Sequence, residues 1–139
     1  MNKEFVSYEL AVKLKELGYD EPCVAYFTYA TERLSCVHNI ERTADFHTVR
    51  QIDLYINYTL APLWQQAFDW MYEKHHLWAG QFINIHPDVN KIIYSYRIYE
   101  IKPDSKAYGG LMVDGFDWTP EEMRKSILTK MINKLKNNE

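Results

Sequence analysis

The stretch Pro62-Leu63-Trp64-Gln65-Gln66-Ala67-Phe68-Asp69-Trp70-Met71-Tyr72 reads as one helix set between two strand-like regions, and that placement decides the fold class. Leu63, Ala67, Trp70, Met71 and Lys74 recur along one side, and Trp64, Phe68, Tyr72 and His75 along its neighbour, so the apolar arc is wide. A helix roofing a sheet needs such an arc. The Leu63 side is assigned to the core. The Trp64 side either joins it or is buried against a second protein, because an exposed aromatic arc is unfavourable without a partner. Thr59 is the expected N-cap, with Pro62 tolerated in the first turn.

Towards the N-terminus, Ser7 stands as an N-cap before a helix predicted over Tyr8 to Leu17, where Leu10, Leu14 and Leu17 recur at helical spacing until Gly18. Val6 can staple against Ala11 or Val12, and Asp20-Glu21-Pro22 turns the chain. From Cys23 to Tyr29 the residues become β-branched and aromatic. With a polar turn at Thr31-Glu32 and Leu34 to His38 beyond it, they predict a hairpin. Asn39 to Val49 reads as a loop, and Ile52 to Ile56 alternates with period two as a short strand would.

Towards the C-terminus, Gly80 punctuates the sequence after His75-His76-Leu77-Trp78. Gln81 to Ile85 and Ile92 to Ile101 then flank a turn at His86 to Asn90, a second hairpin. Lys102 to Gly110 is turn-rich, and Leu111 to Val113 forms a brief strand before Asp114-Gly115. Thr119-Pro120-Glu121-Glu122 has the threonine, proline and glutamate of a capping box, and opens a helix whose buried stripe is Met123, Ile127, Met131 and Leu135. The order α-ββ-α-ββ-α predicts an α+β fold, a single domain over residues 1–139 with an antiparallel sheet and helices packed on one face.

The composition narrows the function. A chain of 139 residues with 47% hydrophobic residues builds one core and has no run of the ~18 apolar residues that a bilayer crossing needs. The formal net charge of -3, from 16 basic and 19 acidic residues mixed along the chain, supplies no broad field for a phosphate backbone. The N-terminus enters a polar helix without the apolar segment of a secretory signal, so a cytoplasmic location is expected. In that setting Cys23 and Cys36 are expected as buried thiols rather than as a disulfide.

Four segments resemble a family of short proteins of bacteriophages and prophages of gut bacteria, generally described as hypothetical. They are FVSYELAVKLKELGYDEPCVAYF (Phe5 to Phe27), APLWQQAFDWMYEKHHL (Ala61 to Leu77), YSYRIYEI (Tyr94 to Ile101) and TPEEMRKSILTKMINKLK (Thr119 to Lys136). Asn39 to Arg50 and Pro103 to Gly115 run longer than the usual family pattern. The resemblance implies a phage or prophage origin and the cytoplasm of a bacterial host. It implies no activity, cofactor or catalytic residue.

No catalytic, cofactor or metal motif emerges from the residues themselves. His75 and His76 are adjacent on a helix and point about 100° apart, so they do not chelate as an i, i+4 pair does, and His86 with Asp88 adds no zinc spacing. Cys36 and His38 share a strand face without a third group to orient a base, and Asp69 and Glu73 read as a solvated helix edge. Tyr94, Tyr96, Ile98 and Glu100 share one face of their strand, with Ser95, Arg97 and Tyr99 on the other. The expected interaction surface is therefore Trp64, Phe68, Tyr72, Tyr94, Tyr96 and Arg97. The first expectation is a non-enzymatic accessory protein that binds a protein partner or forms a homodimer. The second is a small-ligand binder or small enzyme with a pocket between the sheet and the loops Asn39 to Val49 and Lys102 to Gly115, using His38, His47 or Arg97. The third, nucleic-acid binding through Tyr94, Tyr96 and Arg97, is disfavoured by the acidic charge.

Overall fold

Among the residues described, 2–28, 32–36, 48–51, 54, 57–101 and 110–137 of a computed structural model, the chain forms three α-helices and six strands. In order they are α1 (Tyr8–Glu16), β1 (Ala25–Phe27), β2 (Leu34–Cys36), β3 (Thr59–Leu60), α2 (Trp64–His75), β4 (Leu77–Ile85), β5 (Ile92–Glu100), β6 (Leu111–Asp117) and α3 (Pro120–Asn137). The fold is α+β with antiparallel pairing throughout. The strands form two three-stranded sheets, ordered β2-β1-β3 and β4-β5-β6. Each hairpin recruits a third strand that the sequence pattern understates. The expected turn at Thr31, the loop from Asn39 to His47, most of Ile52 to Ile56 and the segment from Lys102 to Gly109 lie outside the described residues.

The chain divides into two compact units, 1–67 and 68–139, and α2 runs across the division. In the first unit α1 ends as its sequence predicts. Gly18 takes a φ of 94°, its N–H bonds the Lys15 carbonyl at 3.0 Å, and the Tyr19 N–H bonds the Leu14 carbonyl at 3.0 Å, which closes a Schellman motif. Tyr19 and Leu14 are both buried. Ser7 occupies the N-cap position with extended backbone, but its side chain makes no capping bond; the buried Val6 beside it supplies the apolar anchor. β1 pairs with β2 through Phe27 opposite Leu34, and with β3 through Phe27 opposite Thr59.

Thr59 is not the N-cap of α2. It is buried in β3, and the helix begins five residues later, at Trp64. Leu63 takes the cap position instead, and the Gln66 side chain accepts its N–H at 3.0 Å, one half of a capping box. Pro62 lies buried just ahead of the helix.

In the second unit the strands are longer. β4 opens at Leu77, ahead of the glycine expected to punctuate the chain, and pairs with β5 from Leu77 opposite Glu100 to Ile85 opposite Ile92. β6 extends to Asp117 and crosses a register shift opposite Ile98 and Tyr99. Thr119 caps α3 through a bond from the Glu122 N–H to its hydroxyl at 3.2 Å, as the capping box predicts. α3 packs on β5 and β6 with Met123, Ile127, Leu128, Met131 and Ile132 buried. Its Lys134 reaches Glu100 at 3.4 Å. No helix among the described residues is long and apolar enough to cross a membrane.

Candidate functional site

Strand periodicity sorts the second sheet into two faces. Tyr96, Ile98 and Glu100 of β5 turn towards α3, where the Lys130 ammonium donates to the Tyr96 hydroxyl. Tyr96 is buried there, and a side chain on Gly115 would put its Cβ 2.5 Å from the tyrosine oxygen, so only glycine lets that ring lie across β6. The opposite face carries Trp78, Phe82 and Asn84 of β4, Ser95, Arg97 and Tyr99 of β5, and Asp114 and Phe116 of β6. No helix among the described residues of this unit packs on it with the continuity of α3.

This second face is built from aromatic groups in three places. Trp78 stacks on Tyr99 at 5.7 Å, the Arg97 guanidinium lies 5.8 Å over the Phe82 ring, and His86, Phe116 and Trp118 form a triad with centroids 5.5 to 5.8 Å apart. Phe82 remains 46% exposed and Phe116 44%. Between them lies an open groove of about 490 Å³, bordered by Asn84, Ser95, Arg97 and Asp114. The Asn84 amide donates to the Ser95 hydroxyl at 3.1 Å. The face thus offers two half-exposed rings, an amide, a hydroxyl, a cation and a carboxylate.

The expected interaction surface is dispersed by the fold. Trp64, 7% exposed, belongs to the first unit, where its indole N–H donates to the Lys3 carbonyl at 3.0 Å; it is a core residue, not a surface one. Phe68 is half-buried and Tyr72 is 50% exposed. Tyr94 and Tyr96 share the α3 face, Tyr96 being buried, whereas Arg97 faces the other way. The structure does not bring Tyr94, Tyr96 and Arg97 together. Sequence reasoning misses Phe82, Phe116 and Trp118, although Phe82 and Phe116 lie in register with Ser95 and the Phe116-Asp117-Trp118 run ahead of the capping box is an available signal.

Three titratable side chains among the described residues, Cys23, Tyr19 and His75, are perturbed by their surroundings. The Cys23 thiol donates to the Glu21 carbonyl at 3.3 Å, and its sulfur lies 3.6 Å from the Tyr19 hydroxyl. Burial pushes this thiol up to about 11, with Glu21 and Asp20 adding to the shift against the Tyr19 hydrogen bond. Burial likewise raises the Tyr19 phenol, with Cys23 and Glu21 acting in the same direction. Both groups therefore stay neutral near pH 7, and Cys23 is a poor nucleophile. Burial lowers the His75 imidazole, His76 adds to that, and its ring meets Trp70 edge-on at 4.7 Å. Among the described residues, no group of three His, Cys, Asp or Glu side chains is placed to hold a metal ion. His38 and His47 lie outside the described residues.

No protein-family model, curated protein or solved structure matches the chain.

Proposed function

We propose that this chain is a phage or prophage accessory protein that works by binding protein, a second copy of itself included, through the uncovered face of the β4-β5-β6 sheet. The observation that carries this reading is the row of half-exposed aromatics on that face, with Phe82 and Phe116 bordering the groove and Trp78 and Trp118 beyond them. Exposed aromatic patches of this kind, rimmed by polar groups, characterise protein interfaces. The neutral, buried Cys23 and Tyr19 lend no support to a catalytic role.

Sedimentation velocity over a concentration series tests the reading. The wild-type chain should associate reversibly, and the Phe82→Ser, Phe116→Ser double variant should associate more weakly with its melting temperature nearly unchanged. A double variant that associates as well as wild type contradicts the assignment of this face.

A second reading draws on the groove itself. Two rings flanking an amide, a hydroxyl, a guanidinium and a carboxylate suit a small polar ligand with one flat apolar face, such as a monosaccharide or nucleoside. A thermal-shift screen with neutral sugars and nucleosides tests it: a rise in melting temperature that Arg97→Ala abolishes supports the ligand, and the absence of any rise counts against it.

A further inference from the structure

The outer edge of the nine-residue β4 is buried at Leu77 and accessible further along, where its side chains carry nothing to deter another strand. Two bonds fix which residues form that edge. The His86 N–H donates to the Lys91 carbonyl at 2.8 Å, and the Ile101 N–H to the His76 carbonyl at 2.8 Å. In an antiparallel ladder the hydrogen-bonded pairs alternate, so even-numbered residues from Trp78 to Asn84 bond inwards to β5. Leu77, Ala79, Gln81, Ile83 and Ile85 therefore turn their N–H and C=O groups away from β5; Leu77 is buried, which leaves Ala79, Gln81, Ile83 and Ile85 as the accessible part of this edge. Among the described residues no strand pairs with them.

Sheet edges are normally blunted by charge, proline, brevity or a bulge. β6, the other edge of this sheet, has such protection: the charges of Asp114 and Asp117 and a register shift against β5. The edges of the first sheet are short, with three residues in β2 and two in β3. β4 has none of these devices. Its sequence, Leu77-Trp78-Ala79-Gly80-Gln81-Phe82-Ile83-Asn84-Ile85, contains no charge and no proline, and everything from Gln81 to Ile85 is exposed, Ile83 at 72%.

We propose that two copies of the chain join β4 to β4 in antiparallel fashion about a two-fold axis at Gln81, making one six-stranded sheet. This rests on the protein-binding reading above and names its partner and its mode. The strand suits itself at this register. Ala79 falls opposite Ile83 of the second copy and Gly80 opposite Phe82, so small residues meet large ones and no like charges meet. Gln81 meets its own copy, amide to amide. Ala79, Gln81 and Ile83 of the two copies form about six hydrogen bonds across the axis. The pairing also covers the exposed Ile83 and makes the two uncovered faces continuous. A partner strand of opposite charge finds no complement here, because β4 has no charge to match.

The test uses the full-length chain with Gln81 replaced. Gln81→Lys and Gln81→Glu each set two like charges against one another on the axis, and each should raise the dimer dissociation constant roughly five- to tenfold. An equimolar mixture of the two variants should recover dimer as a heterodimer, with the ammonium of one chain facing the carboxylate of the other across the axis, read by sedimentation velocity and by native mass spectrometry. Gln81 is exposed, so neither variant threatens folding. Recovery in the mixture establishes both edge and register. A wild-type dimer that survives in both variants but dissociates in the Phe82→Ser, Phe116→Ser chain overturns the edge and leaves the protein-binding face standing. A wild-type chain that stays monomeric at its highest soluble concentration overturns the edge pairing and, with it, self-association through the face.

Discussion

The two units differ in how their polar backbone groups are satisfied, and the difference separates scaffold from surface. In the first unit the strands are two or three residues long, and side chains do much of the work between them. Asp20 accepts the Gln51 N–H at 2.6 Å and pairs with Arg50 at 2.8 Å, while Gln51 donates to the Tyr58 carbonyl at 2.7 Å and accepts the Leu60 N–H at 3.2 Å. Trp64 closes the set on Lys3. In the second unit long strands satisfy one another, so the ladder needs few side-chain bonds, and among the described residues no strand pairs with the outer side of β4. The aromatic face of this sheet and its β4 edge are where the proposed association is placed.

Substitutions along α2 break this comparison most severely. Trp64→Ala removes a buried indole and its hydrogen bond and should lower stability by about 3–5 kcal/mol in urea denaturation, whereas Tyr72→Ala should change it by no more than about 0.5 kcal/mol. Equal effects would erase the distinction between core and surface on this helix. Next, Gly115→Ala forces Tyr96 off β6 and should destabilise by about 1–3 kcal/mol, read by the same denaturation curves. Asp20→Ala, which strips the Gln51 N–H of its acceptor, should lose about 1–2 kcal/mol. The exposed Arg50 pair contributes little of that.

The pH dependence sharpens the comparison with smaller effects. The His75 imidazole is held below its usual 6.5, so the unfolded chain takes up the proton first as the pH falls. Stability should be unaffected by this group above pH 6.5 and decline from there downwards to the lowered folded value, and His75→Gln should flatten that decline. The Cys23 thiol, raised from 9.0 to about 11, acts in the opposite direction: its contribution changes as the pH rises from 9 to 11, where the unfolded chain releases its proton first and stability falls. In a Cys36→Ser chain, alkylation at about pH 8, below the ordinary thiol range, should accordingly be slow until the protein unfolds. Rapid alkylation of the native chain would contradict the buried thiol.

Local signals with a backbone cause were legible in the sequence. Gly18 at the end of α1 and the Thr119-Pro120-Glu121-Glu122 box both specify their own geometry, and the alternation of Tyr94 to Glu100 separates the two faces of β5. The start of α2 was not legible, because Thr59 has the chemistry of a cap and the pairing that holds it in β3 is with Phe27, far away in sequence. The two-residue strand β3 escaped for the same reason, whereas β6 was foreseen only over Leu111 to Val113, because Asp114 and Gly115 interrupt the pattern of its second half. The candidate site was half legible. Arg97 sits on the uncovered face as its position in β5 implies, but Phe82 and Phe116 reach it through pairings across Ser95 that no single strand reveals.

The most direct measurement is hydrogen exchange at single amides of β4 as protein concentration is raised. Ala79, Gln81 and Ile83 point their N–H groups away from β5, while Gly80 and Phe82 point theirs into it. Association through the edge predicts that the first three gain protection with concentration and that Gly80 and Phe82 are protected throughout. Exchange at Ala79, Gln81 and Ile83 that stays fast at every concentration would contradict it.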